Sequence, residues 1–354
     1  MKKIGFCINS LEIGGAEKLL VDIINALSEL KEYEIFLLTK EKSDSYLYSE
    51  IKDKVKYYYL LENNEATNIF FNLRNSMLKA IRFRKFAKQL DIIIDFLDCD
   101  FCKYIKEIKN KEKIAWLHSS YKDLKIRKKI EKKIFHYNKV IVITDEMEKE
   151  IKSEITNLNI YKIYNLIDFS KIDKKLEEKM EELPEEEYFL TVCRLNEEQK
   201  DVSTLINAFS KYQGKEKLLI IGDGKDRKKL EELSRRNKRD NRIIFLGALL
   251  NPFPFMKNTK CFILSSKVEG FGLVLAEALY CGTKVISSNC PVGPSDILLN
   301  GKIGELFEVG NEEELLNKLN NISNKCYDQD LIKRSLEKYS KKEFIKKLKE
   351  VIEN

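Results

Sequence analysis

The chain has 354 residues, 43% hydrophobic and 34% charged, with a formal net charge of +7. That length accommodates two domains of ordinary size, each with its own core, and the balance excludes a disordered or fibrous chain. No apolar run approaches the ~20 residues of a membrane span, and Met1-Lys-Lys passes straight into an apolar run too short for a secretory signal. A cytoplasmic protein is expected, free or peripheral at the inner face of the cell membrane. The eight cysteines are scattered. Cys99 and Cys102 make a CxxC, but no second pair or nearby histidine completes a metal site. Free thiols are expected, and neither a metal nor a cofactor.

Short apolar runs alternate with longer amphipathic ones throughout. In the first half strands are predicted at 4–8, 35–38, 55–60, 92–96, 114–117, 140–144 and 160–164, with helices between them, among them 16–30 and 70–89. The second half starts afresh with strands at 188–192, 218–221, 243–245, 261–264 and 285–288. Such alternation predicts an α/β chain of two doubly wound parallel sheets covered on both faces. The predicted domains are 1–166 and 167–354, with the last helix able to cross back to the first. An acidic stretch, 176–187, containing Pro184, interrupts the pattern after that boundary. Ligands in such sheets lie beyond the carboxyl ends of strands, so two facing domains would leave a cleft between them.

Several loops at predicted strand ends carry chemistry. After the first strand, Gly14 and Gly15 open a helix, where bare amides can face a phosphate. By itself the pair reads rather better as an ordinary tight turn, and the GxGxxG dinucleotide fingerprint is absent. His118, one of only two histidines, falls at a strand end, where an imidazole suits a substrate hydroxyl or a structural cap; His136 falls in a lysine-rich helix. Arg194 and Lys200 flank the first strand-to-helix loop of the second half. They can neutralise a diphosphate, or form ordinary solvated pairs with Glu197 and Glu198. Gly222-Asp-Gly224 is a common turn at another strand end.

The segment from Glu269 to Glu277, EGFGLVLAE, is the most specific. It places Glu269 in a strand-to-helix loop, bare amides at Gly270, Phe271, Gly272 and Leu273, and Glu277 about two turns into the helix. A carboxylate, free amides and a second carboxylate suit a ligand that is part sugar and part phosphate. Separately, eight cations against two carboxylates lie between Tyr121 and Val140, among them Lys125, Lys128, Lys129 and Lys132. Helix 70–89 adds six cations, with Phe70, Phe71, Phe83 and Phe86 between them. This band can lie on an anionic membrane surface or be a solvated face. Nucleic acid is not expected, for want of any motif.

In this order the segments resemble glycosyltransferase family 4, the retaining enzymes of GT-B fold. The resemblance runs from Gly14-Gly-Ala-Glu17 through Tyr164-Asn-Leu-Ile-Asp168, Arg194, Lys200 and Gly222-Asp-Gly224 to Glu269 and Glu277, and closes with Gly282-Thr-Lys-Val-Ile-Ser287 and Gly301-Lys-Ile-Gly304. It implies two facing Rossmann-like domains and a nucleoside-diphosphate sugar, UDP- or GDP-linked, as donor. It further implies a glycan or lipid-linked glycan acceptor in surface polysaccharide synthesis, and no metal. Glu277 would bind the ribose, Glu269 and the amides after it the donor sugar, and Arg194 and Lys200 the diphosphate. Leu249 would pack near the base, Gly15 would touch phosphate, and His118 would reach the sugar. Asp98 and Asp100 form a DxD by spacing, but in the first domain. A dinucleotide oxidoreductase is disfavoured by the missing fingerprint. A non-catalytic sugar-nucleotide-binding or membrane-docking protein is disfavoured by the intact glutamates and cations.

Overall fold

A computed structural model describes residues 1–12, 14–62, 69–127, 130–178, 183–236 and 240–353. The chain divides into two compact units, Met1–Leu166 with Lys341–Asn354, and Ile167–Ser340.

The first unit holds seven parallel strands: β1 (Lys2–Ile8), β2 (Tyr33–Glu41), β3 (Lys56–Leu61), β4 (Ile92–Asp95), β5 (Glu112–Trp116), β6 (Lys139–Val142) and β7 (Asn159–Lys162). Their order is β3-β2-β1-β4-β5-β6-β7. The central strands are buried on both faces, as parallel sheets require: Ile4, Phe6, Cys7 and Ile8 are fully buried, and all of β4 is buried. Helix Gly15–Glu29 covers the sheet through Leu19, Leu20, Ile23, Ile24 and Leu27, a spacing that puts one stripe inward. Lys31, at φ 55, takes the left-handed conformation just past its end.

Helix Lys341–Glu353 is the last element of the chain and completes this unit. Phe344 stacks on Trp116 at 6.1 Å, Tyr33 bonds Glu353 at 2.7 Å, and the buried Lys139 ammonium donates to the Val351 carbonyl at 2.8 Å. The stretch around His136, expected as a helix, is a 3₁₀ segment, Glu131–His136. Six residues pinned between buried Ile130 and buried Tyr137 leave room only for a tight connector.

The second unit has six parallel strands: β8 (Tyr188–Val192), β9 (Lys217–Ile221), β10 (Ile243–Gly247), β11 (Cys261–Leu264), β12 (Val285–Ser288) and β13 (Glu305–Phe307). Their order is β10-β9-β8-β11-β12-β13. Strand β13 was not anticipated; at three residues it is too short for a period to register. Its core gathers Phe189, Leu205, Phe209, Leu218, Ile263 and Leu315. Among the described residues no helix is long and apolar enough to cross a membrane.

Strand order reverses between β1 and β4 in the first sheet and between β8 and β11 in the second. The carboxyl ends of those strand pairs are where an open α/β sheet has room for a ligand.

Candidate active site

At the second reversal the loops after β8 and β11 are stitched together. The Gln199 carbonyl accepts from Lys267 N at 2.7 Å and Val268 N at 3.3 Å, and Ser265 Oγ donates to the Lys200 carbonyl at 3.1 Å. The buried Asp201 carboxylate accepts from Thr204 Oγ1 at 2.8 Å and pairs with Lys267 Nζ at 2.9 Å. Asn196 caps the short helix Glu197–Lys200 by accepting from Glu198 N. The stitching brings together two residues 69 positions apart: Lys200 Nζ lies 2.5 Å from Glu269 Oε1. Their side chains are only 20% and 9% exposed, so this is a partly desolvated pair and not a surface one. Arg194 is exposed on the same loop.

Glycines set how closely these loops approach. A side-chain carbon at Gly222, whose φ is +136, would meet the Cys193 carbonyl oxygen at 1.8 Å. The conformation and the contact both exclude a larger residue, so packing accounts for this glycine by itself. Gly272 enters helix Leu273–Tyr280 at φ +86, leaving the first amides of the helix free of side-chain caps. Phe271 turns inward instead, 3% exposed and edge-on to Tyr339 at 5.3 Å, so of this residue only the backbone is placed to serve a ligand. Glu277 is half-buried in the second turn of that helix, and Leu249 is 38% exposed in the loop after β10. Gly293 escaped sequence reasoning. Its φ is +101, and a side-chain carbon there would meet the Phe271 carbonyl oxygen at 2.0 Å. The Val-Gly-Pro triplet around it was the available signal.

The first reversal is built differently. Asn9 Nδ2 donates to Asp100 Oδ2 at 2.5 Å across the ends of β1 and β4. Asp98 accepts from His118 N at 2.8 Å and from Ser119 Oγ at 2.7 Å. Both carboxylates of the DxD are thus engaged in holding loops. The His118 ring lies 4.5 Å from Phe96 and 6.1 Å from Trp116. Burial pushes its pKa down to about 3, against a raising bond from the Phe96 backbone, so the imidazole is neutral at pH 7. Its Nε2 is buried without a hydrogen-bond partner. Deeper still, burial raises Asp95 to about 7 although Tyr137 OH donates to it at 2.6 Å and Phe101 N at 2.9 Å. Gly14 caps helix Gly15–Glu29 with extended backbone, and a side-chain carbon at Gly15 would meet nothing within 4 Å. Packing does not demand that glycine.

The basic band is partly neutralised. Lys125 pairs with Glu154 at 2.5 Å and Arg127 with Asp123 at 2.9 Å. Lys122 and Lys132 are exposed, and Lys128 and Lys129 lie outside the described residues. All eight cysteines are free thiols. Among the described residues no three of His, Cys, Asp and Glu gather as a metal-binding group.

Residues 172–343 match the family model described as glycosyl transferases group 1. An uncharacterized glycosyltransferase of Methanocaldococcus jannaschii is 33% identical over 216 residues, 55% of this chain and 52% of that protein. The Campylobacter jejuni N-acetylgalactosamine-N,N'-diacetylbacillosaminyl-diphospho-undecaprenol 4-alpha-N-acetylgalactosaminyltransferase is 24% identical over 90% of this chain and 89% of its own. Among solved structures, the apo form of the lipopolysaccharide outer core galactosyltransferase WaaB superposes with a TM-score of 0.77 at 24% identity, covering 99% of both chains.

Proposed function

We propose that this chain, which belongs to the group 1 glycosyl transferases and has the GT-B fold, moves a hexose or N-acetylhexosamine from a UDP- or GDP-sugar to a lipid-linked glycan. The observation that carries the reading is the Lys200–Glu269 pair at the β8/β11 reversal, one loop before the free amides at the start of helix Leu273–Tyr280. Glu269 and those amides would hold the donor sugar and its phosphate, and Glu277 the ribose hydroxyls. Lys200 and Arg194 would neutralise the diphosphate as it leaves, the task a divalent cation performs in other transferases. The reading is therefore of a metal-independent enzyme. The base would lie by Leu249. The resemblance alone assigns Gly15 to phosphate and His118 to the sugar, and a neutral imidazole with an unengaged Nε2 is suited to accept from a hydroxyl.

Retention of configuration follows the family resemblance. No carboxylate nucleophile is assigned, so the acceptor hydroxyl would attack from the face the diphosphate leaves, giving its proton to a departing phosphate oxygen. The undecaprenol-linked substrate in the name of the Campylobacter relative supports a lipid-linked acceptor, and the cytoplasmic face of the membrane is where such an acceptor would be met. The exposed cations of the first unit would meet anionic headgroups there, weakly and with steep salt dependence.

A thermal-shift panel of UDP-, GDP- and ADP-sugars, followed by release of nucleoside diphosphate with and without EDTA, tests the reading. A UDP- or GDP-sugar should raise the melting temperature and be hydrolysed slowly in chelator. No shift with any sugar nucleotide would sink the donor assignment. Loss of activity in EDTA restored by manganese would sink the metal-independent route.

A further inference from the structure

Three serines surround the Lys200–Glu269 pair without belonging to the assigned site. Ser266 is fully buried, and its Oγ donates to Glu269 Oε1 at 2.5 Å. Ser288, at the end of β12, donates through Oγ to the Ser266 carbonyl at 2.5 Å. Ser265, 2% exposed, holds the Lys200 carbonyl at 3.1 Å. Lys200 and Ser266 therefore converge on one oxygen of Glu269. Among the described residues Oε2 takes no hydrogen bond, and it is the oxygen left to accept from a ligand.

A carboxylate at the end of a glutamate side chain rotates about three bonds. Lys200 alone restrains it poorly, because an ammonium is a point charge with no directional preference. A buried hydroxyl whose own backbone is anchored to the next strand supplies the missing direction. We infer that Ser266 is a positioning residue for donor transfer: it orients the Glu269 carboxylate so that Oε2 faces the sugar while Oε1 stays with Lys200. The inference rests on the donor-site reading above, and it adds a residue whose effect is exerted only through Glu269.

The test is a double-variant cycle on hydrolysis of UDP-galactose and UDP-N-acetylgalactosamine by the full chain. Ser266→Ala should lower kcat roughly tenfold, the worth of one hydrogen bond to a charged group, with KM changed less than twofold. In the Glu269→Ala background the same substitution should cost nothing further, because its object has gone. The melting-temperature shift produced by UDP should be the same in parent and Ser266→Ala. Should the alanine variant not fold, Ser266→Cys carries the comparison, being close in size with a weaker donor. Losses that multiply in the double variant, or an unchanged kcat in Ser266→Ala, overturn the inference and leave the donor site standing. A Glu269→Ala variant with full kcat overturns the donor-site reading, and this inference with it.

Discussion

The two sheets share a topology of reversal, yet the two reversal points are chemically opposite. In the second unit an ion pair, Lys200 with Glu269, sits partly exposed among loops held together by backbone bonds and glycine contacts. In the first unit the polar groups are sunk: Asp95 and Asp98 are buried, and the imidazole of His118 is neutral against an aromatic wall. An ion pair stands near the surface at one reversal, and a neutral imidazole and buried carboxylates stand at the other. Two copies of one architecture can thus hold different groups at matching places, because the loops and not the strands carry the chemistry.

Removing the charge at the second reversal should break this contrast most severely. Lys200→Ala is expected to lower kcat by roughly 10²–10³, what the loss of one preorganised electrostatic contact costs, with a smaller effect on KM. Arg194→Ala, more exposed, should follow in the same direction. Steady-state kinetics decide, and an unchanged kcat would remove either cation from the site.

Next in size is Gly222→Ala, which tests whether glycine contacts hold the charged loops in place. A carbon 1.8 Å from the Cys193 carbonyl oxygen forces a strand end apart, at a cost of about 1–3 kcal/mol in the second unit. Denaturant unfolding measures it, and an alanine variant as stable as the parent would show that the approach is relieved elsewhere.

Glu277→Ala should weaken UDP or GDP by about 1.5–3 kcal/mol, through loss of a charged acceptor for the ribose. Calorimetric titration giving parental affinity would refute the assignment.

One further test sharpens the other side of the comparison. With Asp95 raised to about 7, the folded chain holds a proton between pH 4 and 7 that the unfolded chain has released. The stability this contributes is complete below pH 4 and is lost as pH rises through 7. Asp95→Asn should flatten that trend in the melting temperature between pH 4 and 7. Parallel melting curves against pH for parent and variant would show that Asp95 is ionised throughout.

Much of this was legible in the sequence. Alternating runs mark twelve of the thirteen described strands, and the glycine turns and Glu269 fall in loops after strand ends because a doubly wound sheet needs loops there. Other features were hidden for physical reasons. The Lys200–Glu269 pair joins residues that only the β8/β11 adjacency brings together. Phe271 reads as part of a ligand loop, yet its ring is core, since the alternation in GFG does not say which side is dry. Ser266 and Gly293 act through single contacts that no periodicity records. The DxD spacing at Asp98 and Asp100 is set aside for lying in the first domain, and what the spacing could not tell is that both carboxylates hold loops.

The helix Lys341–Glu353 gives the first unit a history as well as a shape. Because its last piece is encoded after the whole second unit, a chain leaving the ribosome finishes the second unit first. Until then the face of Trp116 that Phe344 covers stays wet. A fragment ending at residue 166 therefore carries all seven strands and still lacks a wall. Lys2 Nζ already reaches the Ile352 carbonyl at 2.5 Å, so the two ends of the chain are neighbours. Joining those ends and opening the chain between residues 340 and 341 would make the first unit continuous in sequence. It would then be able to fold before its partner is made.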